Sequence, residues 1–72
     1  MLHKDPSFYT NRALCLTAMK KYQDSIEDCE EALQLDNKCI KAYYRMATNY
    51  MKIGNLKKAS EILSNGIRLC DE

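Results

Sequence analysis

The chain has no tryptophan, one phenylalanine, one proline, two glycines and one histidine, and each scarcity excludes something. With only Pro6, Gly54 and Gly66 to break helices, it has no Gly- or Pro-rich linker, low-complexity tract or glycine-rich phosphate loop. His3 is the one imidazole, and the cysteines at 15, 29, 39 and 70 form no Cys-x-x-Cys pair, so the zinc spacings fail and no metal is expected. Glu30 and Glu31 are adjacent, point in different directions on a helix, and so make no acid–base pair. No catalytic residue, cofactor or enzymatic activity is expected. A net charge of +1 provides no global field for nucleic acid or an anionic membrane. No apolar run approaches the ~18 residues of a membrane span, and the start of the chain lacks a signal-peptide core. The expected setting is cytoplasmic, with the thiols reduced.

What the chain does have is a folding composition: 46% apolar and 29% charged residues in a length of 72. That is enough for one small domain whose buried fraction is low. Apolar periodicity predicts four helices. The first runs from about Ser7 to Lys20, with Asp5 as N-cap and Pro6 at the first helical position, where its missing N–H is not needed. The second runs from about Gln23 to Leu35, with Asp24, Glu27 and Asp28 near its positive end. The third spans about Lys38 to Ile53 and stops at Gly54, and the fourth spans about Leu56 to Leu69. Turns of two or three residues between them dictate antiparallel neighbours.

Shifting the sequence by 34 places sets Tyr9 on Tyr43, Ala13 on Ala47, Ser25 on Ala59, Cys29 on Leu63 and Ala32 on Gly66. Few pairs are identical, but residue size is kept, as two helices packing ridge into groove require. Cys15 and Cys29 fall on expected packing faces as small hydrophobes. Lys20 takes the place of Gly54, and Gly66 lies inside the last helix, each at a cost of about 1 kcal/mol. Gly66 is expected to permit close helix packing.

This period and size pattern resembles the tetratricopeptide repeat. The second unit matches through Tyr43, Met46-Ala47, Tyr50, Ala59, Leu63 and Gly66, and the first through Tyr9, Ala13, Leu16, Ser25, Cys29 and Ala32. Arg12 departs from the pattern where a large apolar residue is usual, and Asn37 stands where proline is usual. The resemblance implies an all-α fold of two tandem helical hairpins, four antiparallel helices in all, with repeats over about 5–37 and 38–72. They form a single domain or part of one.

Tyr9-Thr10-Asn11-Arg12-Ala13 and Lys41-Ala42-Tyr43-Tyr44-Arg45-Met46-Ala47 further resemble co-chaperone tetratricopeptide domains that grip the acidic Glu-Glu-Val-Asp tail of cytosolic heat-shock chaperones. The resemblance implies Asn11, Lys41 and Arg45 as members of a two-carboxylate clamp, whose other two residues belong to a preceding repeat absent from this chain. Asn11 and Arg45 share one helical phase and Lys41 lies a turn before Arg45, so all three are expected to face one groove. Leu14, Thr17, Thr48 and Met51 are expected on the same side, with Tyr44 at the groove and Lys52 also among the peptide-binding residues. These donors suit carboxylate oxygens, and the neighbouring apolar groups suit an aliphatic side chain of an extended peptide. The alternative reading is a structural scaffold that binds another protein, or associates with itself through repeat ends that two hairpins cannot cover.

Overall fold

Asp5 and Pro6 start the first helix as their chemistry requires: the Phe8 N–H donates to Asp5 Oδ1 at 3.1 Å, and Pro6 fills the first turn. The computed structural model describes residues 5–70, so His3 lies outside the described residues. The helices are α1 (Pro6–Ala18), α2 (Tyr22–Leu35), α3 (Ile40–Lys52) and α4 (Leu56–Cys70), with no strand among the described residues.

The ends of α1 and α3 repeat one hydrogen-bond pattern. Met19, Lys20 and Lys21 N–H groups donate to the carbonyls of Cys15, Thr17 and Leu16, and Ile53, Gly54 and Asn55 donate to those of Asn49, Met51 and Tyr50. This closure needs a left-handed residue, which Gly54 supplies at φ 87° and Lys20 at φ 64°. Lysine bears a Cβ strain there that glycine avoids.

The turn between α2 and α3 has four residues, 36–39, not the two or three expected, and α3 starts at Ile40 rather than Lys38. Asp36 explains the difference. Its Oδ1 accepts the Lys38 N–H at 3.0 Å and its carbonyl accepts the Cys39 N–H at 3.1 Å, a side-chain turn that competes with a first helical turn.

Each hairpin packs on itself, α1 on α2 and α3 on α4, and α2 and α3 join the hairpins, with α1 also reaching α3. The Cα atoms fill a slab of 38 × 33 × 12 Å, too thin to enclose many side chains. Its apolar centre is Ala13, Ile26, Cys29, Ala32, Ala42 and Met46. Gly66 is where the hairpins' chemistry is tightest: a Cβ there would sit 2.8 Å from Cβ and Cγ of Tyr43, so close packing excludes a side chain, as expected. α4 runs through Gly66 without a break.

Cys15 is exposed rather than on a packing face as expected, whereas Cys29 is buried. Its counterpart Asn49 is buried because α3 has a preceding hairpin to face, and no described helix covers that side of α1.

Candidate functional site

The groove between α1 and α3 rests on a buried polar junction. Ser25 Oγ donates to the Ala13 carbonyl at 2.8 Å, Asn49 Nδ2 donates to Ser25 Oγ at 2.8 Å, and the Thr17 hydroxyl donates to Asn49 Oδ1 at 2.6 Å. Thr17 and Ser25 oxygens also lie 2.8 Å apart. The two hydroxyls have one proton each, so with Ser25 committed to Ala13, Thr17 has a single proton to offer either to Asn49 or to Ser25. This junction ties α1, α2 and α3 together and fixes how far apart the groove walls stand. Spacing had suggested Thr17 for the groove and Ser25 for packing, but not their bond; the buried amide of Asn49 carried no periodic signal.

Above it lies a cavity of about 140 Å³ lined by Leu14 and Thr17 of α1 and by Tyr44, Arg45 and Thr48 of α3. A second, of about 320 Å³, is lined by Ile40, Lys41, Tyr44 and Arg45. Tyr44, 64% exposed, and Arg45 belong to both and divide one from the other. The expected residues Leu14, Lys41, Tyr44, Arg45 and Thr48 are therefore gathered in one groove. Asn11 is exposed on α1 and Lys52 on the last turn of α3, and neither lines these two cavities. Met51, expected beside them, is exposed and also lies off both.

Arg45 is the group with unmet demand. Its Nε is buried and has no hydrogen-bond partner among the described residues. A buried donor of this kind costs about 1–3 kcal/mol until an acceptor reaches it, and a carboxylate oxygen is the strongest neutralising acceptor available. On the α2 side, the Cys29 thiol is pushed up to about 12, chiefly by burial, with the Arg45 charge opposing and the Asp28 charge adding to the shift. Cys29 is therefore a neutral wall and no nucleophile at ordinary pH.

Arg12 occupies the apolar site of the repeat by forming a fork: its Nε and Nη2 donate to Oδ2 and Oδ1 of Asp28, each at 2.7 Å. The Arg12 side chain is 51% exposed and the Asp28 side chain 8%. It also lies 5.2 Å from the Phe8 ring and 5.7 Å from the Tyr9 ring. The hydrogen bond and then the charge of Asp28 raise the Arg12 pKa further. Arg12 is thus committed away from the groove. The sequence signal was present: at the positions of Arg12 and Asp28 the second repeat has Met46 and Ile62, one polar pair exchanged for one apolar pair.

No group of His, Cys, Asp and Glu among the described residues could hold a metal ion, and no described helix is long and apolar enough to cross a membrane. The arrangement presents donors and apolar pockets along an open groove.

Comparison with known proteins agrees with the fold of two helical hairpins. The chain is 37% identical over 57 residues to human sperm-associated antigen 1, covering 79% of this chain and 6% of that protein. It is 40% identical over 53 residues to the Saccharomyces cerevisiae Hsp70/Hsp90 co-chaperone CNS1, covering 74% of this chain and 14% of that protein. With human mitochondrial import receptor subunit TOM34 it shares 52% identity over 33 residues, 46% of this chain and 11% of the receptor subunit. The chain thus spans only a small part of each relative. No solved structure matches it. Models of the tetratricopeptide repeat match residues 6–39 and 40–72, one for each hairpin. With the helix pairs, the 34-residue recurrence of the helix ends and the Gly66–Tyr43 contact all in place, the chain belongs to the tetratricopeptide repeat family and is a protein-interaction module.

Proposed function

We propose that the α1/α3 groove binds the acidic C-terminal tail of a cytosolic heat-shock chaperone, with Arg45 and Lys41 holding carboxylates and the Leu14–Thr17–Tyr44–Thr48 cavity receiving an aliphatic side chain. The observation that carries the reading is the buried, unpartnered Nε of Arg45 beside both cavities. Lys41 adds a second cation one turn away along the same cavity wall. Asn11 is the outer donor, on the helix facing Arg45 and at the same phase. Lys52 contributes general positive potential from the end of α3. The similarity to a protein named as an Hsp70/Hsp90 co-chaperone supports the same class of partner. A cytoplasmic setting goes with it.

Calorimetric titration of a Glu-Glu-Val-Asp peptide tests the reading. Amidation of the peptide's C-terminus is expected to weaken binding about 10–100-fold, and Arg45→Ala similarly, each removing charge-assisted bonds of about 1.5–3 kcal/mol. Equal affinity for the free-acid and amidated peptides, or full affinity after Arg45→Ala, would rule the clamp out and leave a scaffold whose partner docks elsewhere.

A further inference from the structure

Charge is spread unevenly over the slab. Residues 19–24 and 52–58, which hold the α1–α2 and α3–α4 turns, carry five lysines (Lys20, Lys21, Lys52, Lys57 and Lys58) and one acidic residue, Asp24. The rest of the chain carries six basic and nine acidic residues, so the net charge of +1 conceals a basic region set against an acidic remainder. The two turns form one edge of the molecule: Ile53, just past α3, lines a surface hollow of about 370 Å³ together with Lys20, Lys21, Tyr22, Gln23 and Asp24 of the other hairpin. All five lysines are exposed, and among the described residues none of them is in an ion pair. Ile53 faces the first hairpin's turn rather than an end of the stack, yet it is 49% exposed.

Lys20 adds an independent observation. It stands at φ 64°, a left-handed position that strains a residue with a Cβ and that Gly54 fills in the second hairpin. Backbone strain of this kind concentrates at functional positions, and here it keeps a cation at the tip of the basic edge.

We propose that this edge docks on an anionic membrane leaflet, with the five ammonium groups among the lipid headgroups and Ile53 reaching the boundary between headgroups and acyl chains. Lysine suits such a surface, because a compact charge on a flexible stem follows a fluid array of phosphates and carboxylates without a fixed geometry. A nucleic acid is matched less well, since the edge has no arginine for bidentate contacts and no exposed aromatic ring on which a base could stack. The peptide groove stays open in this arrangement, as none of the edge residues lines either groove cavity.

Co-sedimentation of the 72-residue chain with lipid vesicles tests the proposal. The chain is expected to pellet with vesicles of equal parts phosphatidylserine and phosphatidylcholine, to stay in solution with phosphatidylcholine alone, and to be released by salt. Lys20→Gly and Lys57→Gln are each expected to lower the partition coefficient roughly fivefold, and the two together about 25-fold. Because Lys20→Gly relieves strain, its loss of binding cannot come from unfolding. Ile53→Ser is expected to lower the coefficient several-fold through lost apolar burial. Lys38→Gln removes one charge from the opposite edge and is expected to leave binding unchanged. Lys52 is kept in every variant, because its charge also acts on the groove. No pelleting with the phosphatidylserine vesicles, or equal pelleting with both kinds, overturns the proposal. So does a Lys38→Gln effect as large as that of Lys57→Gln, which would reduce the edge to net charge, or capture of a single-stranded RNA by a chain that no vesicle retains.

Discussion

Where the second hairpin places Met46 and Ile62 in or against the apolar cluster, the first sets Arg12 on Asp28 in a two-bond fork. The same inversion runs through the caps. Asp5 caps α1 with its side chain and its counterpart Cys39 does not cap α3, whereas Asn55 accepts the Lys58 N–H to cap α4 and its counterpart Lys21 leaves α2 uncapped. Lys20 strains where Gly54 fits, and Ala32 is accommodated where Gly66 admits no side chain. One backbone pattern is thus satisfied by two sets of side chains. The first hairpin relies more on directional bonds and the second on close apolar packing.

The largest expected effect tests that packing. Gly66→Val is expected to destabilise the chain by about 3 kcal/mol in urea unfolding, because its side chain must displace the Tyr43 backbone-proximal atoms, and the Tyr43 hydroxyl anchors the ring by donating to the Asn37 carbonyl at 2.9 Å. Ala32→Gly, the converse change in the first hairpin, is expected to cost only about 1 kcal/mol through helix propensity. Next, Thr17→Val takes away the donor to Asn49 Oδ1 inside the junction, at an expected cost of about 2 kcal/mol; adding Asn49→Leu should recover part of it. If Thr17→Val leaves the urea midpoint where it was, the junction holds nothing together.

Lys20→Gly is expected to stabilise by about 1 kcal/mol, since it gives the first hairpin the residue its φ of 64° asks for, and Gly54→Ala should destabilise by a similar amount. An alkaline titration separates Cys29 from its exposed counterparts in reactivity. Burial pushes the folded thiol up to about 12, against an ordinary value of 9.0 in the unfolded chain. Unfolded chains therefore lose the proton first, and stability should be unaffected below about 9 and fall as the pH rises from about 9 to about 12. Cys29→Ala should flatten that fall, and Cys15 and Cys70 should alkylate before Cys29 in the folded chain. The smallest net change is expected from importing the second hairpin's pair: Arg12→Met with Asp28→Ile should be more stable than either change alone, in a double-mutant cycle read by thermal unfolding.

Periodicity, size alternation and capping chemistry made the fold legible. Asp5-Pro6 started a helix where predicted, Gly54 ended one, and the 34-residue shift identified both hairpins and the close approach at Gly66. Helix ends were read to within two residues; the largest misses are the end of α1 and the start of α3, the latter postponed because Asp36 captures a backbone N–H through a side-chain bond that periodicity does not encode. For the groove, phase aligned Leu14, Thr17, Lys41, Tyr44, Arg45 and Thr48, but it also suggested Asn11 and Met51, which line neither cavity, because helical phase fixes a direction and not the distance to the neighbouring helix.

The sequence by itself determined four helices, their pairing and the stripe on which the basic groove residues stand, since these depend on spacing along one chain. Only the tertiary structure decided that Arg12 is spent on Asp28, that Thr17, Ser25 and Asn49 share too few protons, that Arg45 Nε is buried without a partner, and that Cys15 is bare. Each of those depends on the separation of side chains from different helices, where a difference of one ångström separates a bond from a gap.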